Sequence, residues 1–162
     1  MIVERKITVQ KPISGVWQVL GNGFADAYKC ATVVSHSQVH GNGKNGASCD
    51  YRVCQVKGLG ETKENVLKYS DKDYLLSYQI EAAGFPKMVK FSSNTWRLKP
   101  ISNNETEVTM QIEMQTSGIM GTIMKPLMKM QMGGMASLTI SDFKHFVETG
   151  RPSIKKTKAL RK

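Results

Sequence analysis

The sequence predicts an α+β protein in which an antiparallel sheet of seven strands is covered by one long helix near its C-terminus. Three observations predict it. A run of strand-length segments is punctuated by turn-forming residues from residue 31 to residue 117, the last strand alternates strictly between apolar and polar positions, and an apolar stripe at helical spacing follows it.

The first strand covers residues 2–10, where MIVERKITV alternates charged with β-branched residues. Pro12 then stands where the first turn of a helix tolerates it, and Ile13, Val16, Trp17 and Leu20 follow at helical spacing before Gly21 and Gly23 stop the helix. A second short helix is expected through FADAYKCA. The separators GNGKNG, KGLG, SDKD, AAGFP and PISNNE all accept a positive φ or preset a turn, and they divide the chain into strands over 31–40, 47–56, 61–69, 74–81, 87–99 and 105–117. Connections this short make consecutive strands antiparallel neighbours. In the last strand Val108, Met110, Ile112 and Met114 share one face and Glu107, Thr109, Gln111, Glu113 and Gln115 the other, so one side of the sheet is wet and the other needs cover.

That cover is the segment GIMGTIMKPLMKMQMGGM, residues 118–135, which holds six of the ten methionines. On a helix over 120–146 at ~100° per residue, Met120, Met124, Met128, Met132, Met135, Leu127, Leu138 and Phe146 fall in one sector, with Gln131 and Asp142 among them and Lys125, Lys129 and Lys144 outside. A break is expected at Pro126, and Gly150 with Pro152 stops the helix.

At 162 residues the chain divides into a single domain over 1–150 and a basic tail over 151–162. The net charge is +10, and the tail RPSIKKTKALRK holds six of the 23 basic residues and no acid, so it reads as a solvated segment able to meet an anionic membrane surface peripherally. No run is apolar enough to form an integral membrane segment, and nucleic acid is disfavoured because the loops lack interleaved aromatics. Cys30, Cys49 and Cys54 are an odd number at no metal-ligand spacing, and the N-terminus lacks the apolar run of a leader, which together predict a cytoplasmic, reduced protein. His36 and His40 share a strand face without a third ligand nearby, so no metal site is expected and no cofactor is called for.

The stretches PISGVWQVLGNGF, the glycine-rich turn followed by Arg52, ENVLKYSDKDYLLSYQI, NTWRLKPISNNETEV and the closing FKHFVETGRP resemble the START-like, or SRPBCC, superfamily over nearly the whole chain. That superfamily includes polyketide cyclase and dehydrase-like proteins, coenzyme Q-binding proteins and the birch-pollen allergen (Bet v 1-like) type. Tyr28 departs from the tryptophan that many relatives carry after the second helix. The resemblance implies the helix-grip fold, a seven-stranded curved antiparallel sheet wrapped around the long C-terminal helix, with two short helices after strand 1 and a cavity between sheet and helix that often receives a lipophilic ligand.

Within that frame Met110, Met114, Met120, Met124, Met128 and Met132 are expected to line the cavity, with Tyr51, Tyr78 and Trp96 supplying polar tips on apolar bodies. The partner is then a hydrophobic small molecule or lipid, and no oligomeric state is set. Filling of an irregular core by the same methionines is the alternative. A polyketide cyclase/dehydratase-like enzyme using the same cavity is a second reading, with no catalytic residue assigned beyond the candidates Asp142 and Tyr78. A third makes the Met-rich helix and the basic tail a membrane- or partner-binding module. Arg52 shares a strand face with Asp50, which predicts an ion pair between them.

Overall fold

The computed structural model describes residues 1–160; Arg161 and Lys162 of the basic tail lie outside the described residues. The sheet runs in the order β1-β7-β6-β5-β4-β3-β2, antiparallel throughout, with β1 at Ile2–Val9, β2 at Val34–His40, β3 at Tyr51–Val56, β4 at Gly60–Ser70, β5 at Leu75–Ala82, β6 at Val89–Ser102 and β7 at Glu105–Thr116. Five helices accompany it: α1 at Ile13–Trp17, α2 at Ala27–Cys30, α3 at Gly118–Ile123, α4 at Lys125–Thr149 and α5 at Ile154–Leu160. The turn chemistry and the terminal stripe predicted this α+β sheet with its long covering helix, and the family resemblance implied its helix-grip form.

Local departures have local causes. Between α1 and α2 the backbone widens into a π turn over Gln18–Asn22 and then tightens over Phe24–Asp26, which packs Leu20 and Phe24 under the sheet. Strand β6 continues past Pro100, because β5 begins opposite Arg97 and leaves Pro100 unpaired on that side, where the missing N–H costs nothing. Gly150 ends α4 in the left-handed conformation at φ 69°, and its N–H closes the last turn on the carbonyl of Phe146.

The Met-rich segment is two helices. The expected break comes at Met124, so that Pro126 falls in the first turn of α4, where it forfeits no hydrogen bond. Helix α4 crosses the concave face and buries Met128, Met132, Ala136, Ile140 and Phe143 against Val3, Val108, Met110 and Ile112. Its far side grips strand β1: Arg5 Nε donates to Ser137 Oγ at 2.8 Å and Lys144 Nζ to the Thr8 carbonyl at 2.7 Å.

The tail departs from expectation. Instead of a solvated run, Ile154–Leu160 form α5 and return to the sheet, where Lys156 is buried with its Nζ donating to the Val34 carbonyl at 2.5 Å. Asp142 holds the arrangement together, accepting from Ser153 Oγ at 2.6 Å through Oδ1 and from the Thr32 N–H at 2.8 Å through Oδ2. Its carboxylate is thereby committed to the latch. Replacing Asp142 with Ala should lower stability by ~1–3 kcal/mol in urea unfolding, and trypsin should then cut at Lys155 and Lys158 well before it attacks the rest of the chain.

Candidate functional site

Between the sheet, the 18–30 segment and α4 lies a cavity of about 120 Å³. Its walls are mainly apolar: Leu20, Phe24 and Ala27 from the N-terminal turns, Leu76 and Ile112 from the sheet, Met135 and Phe143 from α4. Ring contacts stiffen it, with Phe24 5.2 Å from Tyr78 and Trp96 5.4 Å from Phe143, both tilted.

One end of the cavity is polar. The hairpin between β3 and β4 sets Arg52 directly opposite Glu64, and Nε and Nη2 of the buried guanidinium both reach Glu64 Oε2, at 2.7 and 2.5 Å. Arg52 Nη1 donates to the Phe24 carbonyl, and its guanidinium lies 3.9 Å from the centre of the Phe24 ring. Burial works against the charge on Arg52, but Glu64 outweighs it and holds the guanidinium protonated. The two charges cancel, so this end carries no net charge to balance an ionic ligand.

Beside the pair stand Tyr78, Asn94 and Trp96. Asn94 Nδ2 donates to Tyr78 Oη at 2.9 Å and Trp96 Nε1 reaches the same oxygen at 3.4 Å. Burial, with Glu64 close by, pushes the Tyr78 phenol well above its ordinary range. Asn94 is 4% exposed and its Oδ1 is buried without a partner, an acceptor left at the cavity wall. Cys30 also lines the space, and burial pushes its thiol up to about 11, with Arg52 opposing and Asp142 assisting.

The structure sorts the residues anticipated from sequence. Tyr78, Trp96 and Met110 line the cavity. Met114, Met128 and Met132 are buried in the surrounding core and Met124 packs at its margin, none of them at the cavity wall. Met120 and Leu127 turn outward, because α3 and the first turn of α4 extend past the sheet that would have covered them; Gln131 is exposed as well. Tyr51 lies on the outer face, stacked 5.0 Å from His40, since β3 sends Arg52, Cys54 and Val56 inward instead. Asp142 belongs to the latch and not to the cavity. The expected Arg52–Asp50 pair is replaced by Arg52–Glu64. Reflecting the strands through the 57–60 turn pairs residue 52 with residue 64, a signal available in the sequence; Asn94, two residues from Trp96 on the same strand, shares its inward parity. No group of three His, Cys, Asp or Glu side chains suited to a metal occurs among the described residues, and no helix there is long and apolar enough to cross a membrane.

Comparison with known proteins decides the family. The family model described as polyketide cyclase / dehydrase and lipid transport matches residues 1–146. The chain belongs to this family. No curated protein matches it. Among solved structures, this polyketide cyclase/dehydrase and lipid-transport family member is similar to a START superfamily protein from Mycobacterium smegmatis, at 10% identity and a TM-score of 0.73, with 91% of this chain and 97% of that one covered. It is also similar to norcoclaurine synthase from Thalictrum flavum in complex with dopamine and hydroxybenzaldehyde, at 15% identity and a TM-score of 0.67, covering 91% and 86%. A Bacillus thuringiensis protein of uncharacterised function aligns at 17% identity and a TM-score of 0.69, covering 91% and 98%. At such identities the shared feature is the fold alone.

Two outcomes follow from the polar end. Glu64→Leu leaves Arg52 buried and unpaired and should cost ~3–5 kcal/mol in urea unfolding, whereas Arg52→Met combined with Glu64→Leu should recover most of that loss. The folded thiol of Cys30 ionises near pH 11 and the unfolded one near 9.0, so the unfolded chain releases that proton first and stability falls as pH rises through this window. The difference between wild type and Cys30→Ala in chemical unfolding from pH 8 to 11 isolates the contribution, at most ~2 kcal/mol.

Proposed function

We propose that this chain binds a small, uncharged, largely apolar molecule carrying one hydrogen-bonding group in the cavity between the sheet and α4. The observation that carries the reading is an apolar cavity whose polar end is already charge-neutral yet keeps the Asn94 amide oxygen unsatisfied. A ligand hydroxyl would supply the missing donor, and the aromatic walls of Phe24, Tyr78 and Trp96 suit a ring.

Size sharpens the class. A dry protein cavity of ~150 Å³ takes up benzene, so about 120 Å³ holds a single ring and excludes a fused polyketide or an acyl chain unless the wall moves. Met110 and Met135, which have the most adaptable side chains on that wall, are the residues to yield. The similarity to a synthase that holds dopamine and hydroxybenzaldehyde supports a ring of this scale in such a fold. The reading is binding and not turnover because Tyr78 and Cys30 stay protonated near neutrality and Glu64 is engaged by Arg52.

Phenol, toluene and benzoate separate the alternatives by calorimetry. Phenol and toluene should bind and benzoate should not, and Asn94→Leu should weaken phenol ~10-fold while changing toluene less than about twofold. Absence of uptake of either neutral ring, or tightest binding of benzoate, defeats the proposal.

A further inference from the structure

The Met-rich segment has a second apolar face that the cavity does not use. Ile119, Ile123, Leu127 and Met130 recur at spacings of four, four and three, which at ~100° per residue makes one stripe on the side away from Met124, Met128 and Met132. Hydrogen bonds from the Met124 N–H to the Met120 carbonyl and from the Met128 N–H to the Met124 carbonyl, both 3.0 Å, carry the helical path across the break between α3 and α4. Ile119 is 81% exposed, Ile123 63% and Met130 68%, with Met120 at the border of the stripe and 60% exposed. Large apolar side chains grouped in this way, as opposed to scattered singly, mark a surface that is covered when the protein works.

The charge next to the stripe is basic, although exposed Glu61 and Glu81 stand on the strands that flank the β3–β4 and β5–β6 turns. Lys125 and Lys129 are exposed beside the stripe, and the sequence holds no Asp or Glu between Glu113 and Asp142. The β5–β6 turn, with exposed Lys87 and Lys90, is tied to the start of α3 by the Ser117 N–H on the Met88 carbonyl at 2.9 Å. That same turn meets the β3–β4 turn, where the Gly84 N–H donates to the Leu59 carbonyl at 3.1 Å, and Leu59 is part of the cavity wall. The stripe, four lysines and one margin of the cavity therefore lie at the same end of the sheet, on a chain of net charge +10.

We propose that this end docks on an anionic lipid surface. The isoleucines and methionines enter the boundary between headgroups and acyl chains while Lys87, Lys90, Lys125 and Lys129 meet the phosphates, the division of labour that interfacial binding requires. Charge complementarity selects lipid over a neutral apolar partner. Docking sets the Leu59 side of the cavity against the bilayer, and it stands whether or not the cavity takes the ring proposed above.

Sedimentation with phosphatidylcholine vesicles, with and without phosphatidylglycerol, tests the proposal on the full chain. Binding is expected only with phosphatidylglycerol and should weaken as salt is raised. Ile119→Asp with Ile123→Asp should abolish it, and Lys125→Glu with Lys129→Glu should reduce partitioning more than ~10-fold, with unfolding temperatures unchanged because all four side chains are exposed. Three results overturn it: no dependence on phosphatidylglycerol, binding undiminished in these variants, or light scattering that shows a dimer which the isoleucine substitutions dissociate, since a second copy would then be the cover.

Discussion

The buried contact between Arg52 and Glu64 is the constraint around which the interior is arranged. Taking both charges out of water is costly, and the structure recovers that cost only by meeting the guanidinium on several sides: a carboxylate from β4, a carbonyl from the 18–30 segment and an aromatic face. Those partners are Glu64 on β4 and Phe24 in the N-terminal turns, with Arg52 itself on β3, so the pair fixes the distance between sheet and N-terminal turns. A wholly apolar floor would be free to collapse onto Leu76 and Met110. With an ion pair and its polar neighbours standing there, the space beside them stays open.

How much of this was legible in the sequence depended on the range of the interaction. Turn residues and alternation operate over a few positions, and they placed all seven strands and the break before Pro126. Helical periodicity identified Met128 and Met132 as inward but assigned Met120 and Leu127 to the same side, because a projection at constant angle does not know where the sheet beneath the helix ends. The polar end of the cavity required cross-strand register. Glu64 was recoverable by reflecting β3 onto β4, whereas the Phe24 carbonyl was not, since it depends on how an irregular π turn packs. Composition misjudged the tail for a related reason: six positive charges in twelve residues describe a solvated segment unless one of them finds a carbonyl to hold it.

Methionine plays two distinct parts here. In the middle of α4 it fills the space between a curved sheet and a straight helix, a job for an unbranched side chain with several rotatable bonds. Toward α3 the same residue type, now with isoleucines, stands in water among lysines. A helical segment apolar on opposite sides needs two covers, and the sheet supplies one.

The Asp142 latch also bears on the order in which the chain assembles. Strands β1 and β2 are the two open margins of the sheet, and unpaired strand margins invite association with other chains. Side chains of α4 reach across β1, but β2 is secured at Val34 only when Lys156 arrives, and α5 is made after everything it fastens. During synthesis the Val34 end of β2 is therefore fastened last, and that end of the margin stays open to mispairing in the interval between completing α4 and completing α5.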